Sequence, residues 1–279
     1  MLTTTWYGTT LWTRAGCAAL LEQTTMQFQR FFSLDSAKAI KAREFGYLNA
    51  INYMAPANTA GVGNLCPHAS AGCLALCLGW YSGQAGMVAG DSDTALNSVR
   101  KSRQAKARLF MTDRVAFFNE MIAGIAQAER KAQREGLKLC VRLNGATDIA
   151  WESVSATSSM FTQFPHIQFV DYTKNVKRAL KHAAGLMPRN YHLTFSRSET
   201  NEADCARVLA AGGNVAVVFA GEFPRQWHGY EVVNGDAHDL RHMDAGSTHL
   251  YGQAQRGIVI ALSPKGTRAK RDRSGFVVR

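Results

Sequence analysis

Seven short apolar segments recur after residue 45, and helical patterns separate the earlier ones. They are residues 46–56 (GYLNAINYMAP), 137–145 (LKLCVRLNG), 166–174 (HIQFVDYTK), 191–199 (YHLTFSRSE), 214–222 (NVAVVFAGE), 229–236 (GYEVVNGD) and 257–266 (GIVIALSPKG). Strands that are apolar on both faces and alternate with helices are typical of a parallel sheet that is covered on both faces. We therefore predict a single-domain α/β fold, an incomplete (βα) barrel of TIM type. A doubly wound open parallel sheet is the alternative, because one sequence does not fix the strand count.

The helical patterns and the chain length suggest how the chain is organised. Helices are predicted over 94–135, where Gly136 suits a C-cap, and over 175–185 and 200–213. A chain of 279 residues can bury one large core. We predict an N-terminal extension over 1–45, a partial-barrel domain over 46–264 and a basic C-terminal segment over 265–279. A start at Met26 would make the first 25 residues a loosely attached extension.

Two features of the sequence bear on the compartment. No run of eighteen apolar residues appears, so no transmembrane helix is expected. The N-terminus has threonines where a signal peptide has basic residues, and its short apolar stretch ends at Glu22. We therefore expect a cytoplasmic protein with no membrane partner.

The charge balance predicts a polyanionic partner. The chain has 32 Lys and Arg residues against 21 Asp and Glu residues, a net charge of +11. A basic protein of this size attracts nucleic acid, and we favour DNA over RNA. The alternative is a surface that is basic only for solubility, since net charge says little about the fold.

Two segments concentrate the positive charge. The first lies on the predicted helix around residues 100–114, where its cations would contact phosphates or form a solvated face. The second has no apolar period, which favours a flexible phosphate-binding loop. The cations are Arg100, Lys101, Arg103, Lys106, Arg108 and Arg114 in the first segment, and Lys265, Arg268, Lys270, Arg271 and Arg273 in the second.

Three of the six cysteines lie within twelve residues, in the sequence NLCPHASAGCLALC. Cys66, Cys73 and Cys77 have C-x6-C-x3-C spacing, and the last two share a face if they lie on a helix. Three thiolates can bind one metal ion, or three irons of a [4Fe-4S] cluster with the fourth iron open. His68 could complete a zinc site. The alternative is three ordinary buried thiols, because free cysteine is among the most buried residue types.

Polar residues follow nearly every predicted strand. In α/β folds with parallel strands the reacting groups lie at the carboxyl ends of the strands, so these residues predict one convergent pocket. We expect the carboxylates of Asp148 and Asp171 to lie within about 12 Å of each other in that pocket. The alternative is that such residues only form turns. The candidates are Asp148, Asp171, His238 and Asp239 for catalysis, and Asn144, Lys174, Arg197, Glu199 and Arg241, with Lys265, Arg268, Lys270 and Arg271, for substrate or phosphate binding.

Several of these stretches resemble a group of phage-encoded proteins. They include NLCPHASAGC, VRLNGATDIAWE, FVDYTK, NYHLTFSRSE, VVNGDAHDLRHMD and KGTRAKRDRSGFVV, and together the similar stretches cover most of residues 46–279. The resemblance implies a role in nucleic-acid processing or modification, in the cytoplasm of the host cell.

Two enzyme families are more distantly similar. A three-cysteine loop after the first strand of a partial barrel resembles radical S-adenosylmethionine enzymes, in which the open iron of a [4Fe-4S] cluster binds the cofactor; their usual spacing is C-x3-C-x2-C. tRNA-guanine and deazaguanine DNA transglycosylases are also barrels, and use aspartates near strand ends. In them an Asp attacks the glycosidic carbon, a role for which Asp148, Asp171 or Asp236 would be the candidates. Their zinc site lies late in the chain, whereas these cysteines lie early.

Three functions follow as alternatives. The first is an enzyme that modifies a base or nucleotide of nucleic acid, with a three-cysteine metal or [4Fe-4S] site at the mouth of the barrel and possible use of S-adenosylmethionine. The second is a base-exchange transglycosylase that acts on DNA through an Asp at a strand end. The third is a non-catalytic zinc protein that binds nucleic acid through its basic face.

Overall fold

The computed structural model describes residues 28, 30–88, 90–154, 160–244 and 257–279. These residues form one α/β domain with an eight-stranded sheet. Its strands are β1 (Tyr47–Ile51), β2 (Lys138–Arg142), β3 (Gln168–Thr173), β4 (Tyr191–Ser196), β5 (Val215–Val218), β6 (Gln226–Trp227), β7 (Tyr230–Asn234) and β8 (Val259–Leu262). All seven predicted strands are confirmed, and β6 is an additional short strand.

Helices cover the sheet and connect its strands. They are α1 (Ala37–Ala42), α2 (Ala71–Ala75), α3 (Leu78–Tyr81), α4 (Ser98–Thr112), α5 (Arg114–Arg134), α6 (Met160–Gln163), α7 (Val176–Ala183), α8 (Glu202–Ala210) and α9 (Gly266–Lys270). The predicted helix over 94–135 is divided at Asp113, whose carboxylate accepts a hydrogen bond from the N–H of Ala116 and so caps α5. No described helix combines the length and apolarity that crossing a bilayer requires.

The order of the strands is β1-β2-β3-β4-β5-β8-β7-β6. All neighbours pair in parallel except β6 and β7, which form an antiparallel hairpin. The order rises from β1 to β5 without the reversal that marks a doubly wound sheet. The described strands do not close the sheet, since β1 and β6 lie at its two ends.

The larger core cluster lies between one face of the first four strands and helix α5. Alternate strand residues such as Leu48, Val141 and Phe169 pack there against Phe117 and Met121 of α5. The aromatic side chains of residues 28, 31 and 32 join this cluster. The predicted boundary at residue 45 therefore does not coincide with an edge of the packed core.

The C-terminal segment is ordered into local structure, so its prediction as a flexible loop was wrong. Residues Gly266–Lys270 form α9, and Val278 makes a parallel bridge to Phe219 beyond the end of β5. Val277 is buried, and its N–H donates to the carboxylate of Asp272 at 2.9 Å. Apolar residues after the basic run thus attach the segment to the sheet.

Candidate active site

A cavity of about 1080 Å³ opens at the carboxyl-terminal edge of the sheet. Its lining includes residues that end or follow five neighbouring strands: Asn144 after β2, Lys174 after β3, Ser196 of β4, Val218 of β5 and Leu262 of β8. Binding sites of parallel α/β sheets lie at this edge, because the loops after the strands converge there. This cavity is therefore the candidate active site.

One wall of the cavity comes from the chain between β1 and α4. Cys66, Cys73 and Cys77 all line it, Cys73 within α2 and Cys77 directly before α3. This cysteine segment (residues 57–88) packs closely against the loop after β2. A Cβ atom added at Gly79 would lie 2.3 Å from Cβ of Ala146, so glycine is required at that contact. The C-x6-C-x3-C spacing thus places three thiols on one wall.

The surroundings of Cys66 and Cys77 favour protonated thiols. Burial raises the pKa of Cys66 to about 12, although the N–H of Ala57 donates to Sγ at 3.2 Å. Burial and the neighbouring Cys73 raise the pKa of Cys77 to about 11. A negative charge on Cys73 opposes a charge on Cys66 and on Cys77. Thiolates would therefore need a bound cation to stabilise them here.

The three thiols of this wall are chemically suitable metal ligands, but their side chains are not arranged around one point. Within the described ranges, no group of three or more Cys, His, Asp and Glu side chains is arranged to bind a metal ion. His68, the predicted fourth zinc ligand, is exposed and does not line the cavity. Three thiols are nevertheless the usual ligand type of zinc and of iron–sulfur clusters. Metal binding would require these side chains to rotate toward one point, and it stays a prediction.

The two aspartates predicted for catalysis have different surroundings. Asp148 lines the cavity, and its carboxylate accepts hydrogen bonds at 2.9 Å from Nη1 of Arg178 and from the N–H of Lys174. Asp171 is wholly buried and does not line the cavity. It lies within β3, on the same face as Phe169, so it points toward the helix-covered core. Asp148 therefore lies in the predicted pocket and Asp171 does not, so the expectation that both carboxylates line one pocket was wrong.

Asp171 and Asn144 brace the turn after β2. Burial raises the pKa of Asp171 to about 7, while its carboxylate accepts hydrogen bonds from the N–H of Asn144 and the hydroxyl of Tyr191, both at 2.7 Å. The side-chain oxygen of Asn144 accepts from the N–H of Ile149 and from Nε1 of Trp151. These bonds give both residues a structural role, in agreement with the alternative that polar residues near strand ends form turns.

His238, Asp239 and Arg241 lie close in sequence and have different contacts. Asp239 is buried and lines the cavity, where it accepts a hydrogen bond from Nη1 of Arg142 at 2.8 Å. The ring of His238 packs edge-on against Phe45, with centroids 4.6 Å apart, and does not line the cavity. Arg241 is wholly buried and donates to the carbonyl of His238. Of the three, Asp239 alone lines the cavity.

Glu199, which follows β4, binds the start of the cysteine helix α2. Its carboxylate accepts hydrogen bonds from the hydroxyl of Ser70 at 2.8 Å and the N–H of Gly72 at 2.7 Å. Despite partial burial, these donors lower the pKa of Glu199. Arg197 instead donates to the carbonyl of Phe276 at 3.1 Å and to the carboxylate of Glu202. Glu199 therefore positions the cysteine segment, and Arg197 attaches the C-terminal segment.

The first basic segment, which covers α4 and the first residue of α5, turns half of its six cations inward. Arg100, Arg103 and Lys106 are buried and donate hydrogen bonds to backbone carbonyls. Those of Arg100 and Arg103 belong to residues 79–95, so these two cations connect α4 to the chain that carries the cysteines. Lys101, Arg108 and Arg114 are exposed. The first basic segment is thus not a fully solvated face, since only half of its cations are exposed.

None of the five cations named in the second basic segment is buried. The ammonium of Lys265 pairs with Asp236 at 2.9 Å. Arg268 pairs with Asp93, and its guanidinium lies 3.8 Å from the centre of the Tyr81 ring. Lys265 is exposed despite this ion pair, and Lys270, Arg271 and Arg273 are exposed as well.

The sequence analysis missed the cavity residue Arg142. Arg142 and Tyr172 both line the cavity, and the guanidinium of Arg142 lies 4.7 Å from the centre of the Tyr172 ring. Arg142 follows Val141, an apolar residue on the opposite face of β2. The period of two in strands was the signal that could have identified Arg142.

A family profile named Gene product 88 matches residues 28–279, which is most of the chain and begins where the described residues begin. The chain belongs to the Gene product 88 family. The form of that name is one given to phage genes, in agreement with the expected resemblance to phage-encoded proteins. No curated protein and no solved structure matches the chain. The match contains nothing specific to radical S-adenosylmethionine enzymes or to transglycosylases.

Proposed function

We propose that the chain is an enzyme that modifies a nucleotide or a base of nucleic acid, with DNA as the favoured substrate, and that the cavity is its active site. The observation that carries this proposal is the excess of cations in a cavity that also contains three thiols. The Lys, Arg, Asp and Glu residues of its lining are Arg30, Arg103, Lys106, Arg142, Lys174 and Lys265, with Asp35, Asp148 and Asp239.

The charges of the cavity favour an anionic substrate. Asp35 and Asp239 pair with Arg30 and Arg142, both of which also line the cavity. Asp148 pairs with Arg178, which is not a lining residue. Of the other lining cations, Lys265 pairs with Asp236, which is not a lining residue. Arg103 and Lys106 are buried and donate to backbone carbonyls, and Lys174 has no carboxylate partner among the described residues. The lining therefore keeps an excess of positive charge, and such an excess attracts phosphate groups. A volume of about 1080 Å³ is large enough for a nucleotide.

The proposal includes the cysteines and the fold. Cys66, Cys73 and Cys77 would bind the metal centre, a [4Fe-4S] cluster or zinc, which would supply redox or Lewis-acid chemistry next to the substrate. Lys174 and Glu199, on the same side of the sheet, would respectively bind the substrate and position the cysteine segment. The rising strand order supports an incomplete (βα) barrel, a fold whose active sites lie at this edge.

The metal centre can be tested by anaerobic purification with iron, zinc and sulfide analysis and a visible spectrum. We expect a brown protein that absorbs broadly near ~400 nm, and loss of the colour in Cys66→Ala, Cys73→Ala and Cys77→Ala. Cys140→Ala and Cys205→Ala are matched controls, because both residues are buried and neither lines the cavity. Zinc without colour would favour zinc chemistry or the zinc-binding protein, and no metal at all would overturn the role of the cysteines.

The substrate can be tested on DNA that has been incubated with the protein. Digestion to nucleosides followed by mass spectrometry should reveal a nucleoside of changed mass. The change should be absent with the Cys66→Ala variant and present with Cys140→Ala. A changed nucleoside that survives loss of all three cysteines would instead favour base exchange through Asp148, which lines the cavity. If DNA, RNA and free nucleotides are all unmodified after incubation with the protein, the proposed function is wrong.

A further inference from the structure

The floor of the cavity contains an arginine that projects from the sheet into the open volume. Arg142 is the last residue of β2, and its neighbour Val141 packs into the larger core on the opposite face of the sheet. Alternation therefore directs the Arg142 side chain toward the cavity, where it is 16% exposed. A guanidinium at this position can reach a molecule that enters the cavity.

The protein fixes the orientation of this guanidinium. Nη1 of Arg142 donates to Oδ2 of Asp239 at 2.8 Å, and Nε donates to the carbonyl of Asn144 at 3.2 Å. The hydroxyl of Tyr172 donates to the other oxygen of Asp239 at 3.0 Å, and the Tyr172 ring lies beneath the guanidinium. One buried carboxylate thus orients both side chains.

The remaining donors of Arg142 are available to a ligand. A guanidinium has five N–H donors, and these two bonds use two of them. Within the described part of the chain, the others have no hydrogen-bond partner. Burial alone would lower the pKa of Arg142, but the charge of Asp239 raises it above its ordinary value. A permanently charged, oriented guanidinium is the group that best binds carboxylate and phosphate oxygens.

A second cation adds the net charge that the Arg142–Asp239 pair lacks. The ammonium of Lys174, which follows the neighbouring strand β3, donates to the hydroxyl of Ser196 at 3.0 Å and lies 5.4 Å from the ring centre of Phe276. It pairs with no carboxylate among the residues that the structure describes. A ligand oxyanion would therefore gain directed hydrogen bonds from Arg142 and an unneutralised charge from Lys174.

We propose that Arg142 and Lys174 form an anion subsite, which binds the phosphate or carboxylate of a small molecule in the cavity. The inference rests on the cavity being the active site, as proposed above, and it does not depend on a metal.

Calorimetric titration of the full chain with two pairs of probes tests the subsite. Deoxyguanosine 5′-monophosphate and deoxyguanosine differ by a phosphate, and S-adenosylmethionine and its decarboxylated form differ by a carboxylate. We expect at least one anionic probe to bind about tenfold or more tightly than its partner. Arg142→Gln and Lys174→Gln should each remove most of that difference. Arg207→Gln, which changes an exposed arginine of α8, should leave it unchanged.

Further results decide between the outcomes. Arg142→Lys keeps the charge next to Asp239 and loses the planar donors, so it should also lower the affinity for the anionic probe. Equal affinity of the wild type for both members of each pair, or no binding of any probe, would overturn the subsite. Unchanged discrimination in Arg142→Lys and Arg142→Gln would do the same. A metal-free protein that discriminates would support the subsite and overturn only the metal, whereas a metal-containing protein that does not discriminate would overturn the subsite alone.

Discussion

The two basic segments have similar charge and opposite surroundings. In α4, Arg100 and Lys106 are buried and donate to backbone carbonyls of other segments. In the C-terminal segment, Lys270, Arg271 and Arg273 are exposed. A buried cation that donates to carbonyls stabilises the fold, whereas an exposed one can contact a polyanion. The comparison shows that a cluster of cations on a helix does not by itself indicate a nucleic-acid interface.

The largest expected difference between the segments is in stability. Arg100 is wholly buried and donates to the carbonyls of Trp80, Asp93 and Ala95. Arg100→Met should lower the free energy of unfolding by about 3–5 kcal/mol, because it leaves several carbonyls without a donor. Arg271→Met should change it by less than about 0.5 kcal/mol. Urea unfolding of both variants measures the difference, and equal effects would abolish the distinction between the two segments.

A smaller difference should appear in the pH dependence of stability. Burial lowers the pKa of Lys106 to about 7 from an ordinary value of 10.5. Above pH 7 the unfolded chain therefore binds more protons at this residue than the folded chain, so its contribution to stability rises with pH. We expect a rise on the order of 1 kcal/mol between pH 7 and 8.5. Lys106→Met should flatten this rise, and Lys101→Met, at an exposed position of the same helix, should not.

Urea unfolding at several pH values up to 8.5 makes this measurement. At higher pH the raised pKa values of Cys66 and Cys77 act in the opposite direction, because the unfolded thiols then lose protons first. A wild-type protein whose stability is constant or falls between pH 7 and 8.5, with no change in Lys106→Met, would mean that Lys106 is solvated.

Much of the fold could be predicted from the sequence, because apolar strands leave a local signal. The strands themselves and the edge of the sheet that contains the cavity follow from apolar runs and from the rule for parallel strands. The short hairpin strand β6, only Gln226–Trp227, left no such pattern. Closure of the sheet was not predictable either, since it depends on which strands pair and not on their composition.

The site was predicted less well, because exposure is decided by contacts between distant segments. Asp148 and Asp171 were equivalent as polar residues near strand ends, but Asp171 lies within β3 on its core face. The sequence did not show that the cations of α4 point inward, because their carbonyl partners lie up to 75 residues away along the chain. Arg142 could have been predicted from strand alternation, since it follows Val141 on the opposite face.

The smallest expected effect on stability belongs to the exposed C-terminal cations, and it comes with an effect on binding. Replacing Lys270, Arg271 and Arg273 together by Gln should change the free energy of unfolding by less than about 0.5 kcal/mol, because all three are exposed. If they contact phosphates, the slope of log K against log salt for duplex DNA should become shallower by about 2–3, roughly 0.9 for each contact. Fluorescence anisotropy of labelled duplex across a salt series measures this slope.

The control is Lys177→Gln with Arg207→Gln, at exposed positions of α7 and α8, which should leave the salt slope nearly unchanged. Equal flattening by both sets would indicate a diffuse basic surface, and an unchanged slope would leave Lys101, Arg108 and Arg114 of the α4–α5 region as the next cations to replace, because they too are exposed.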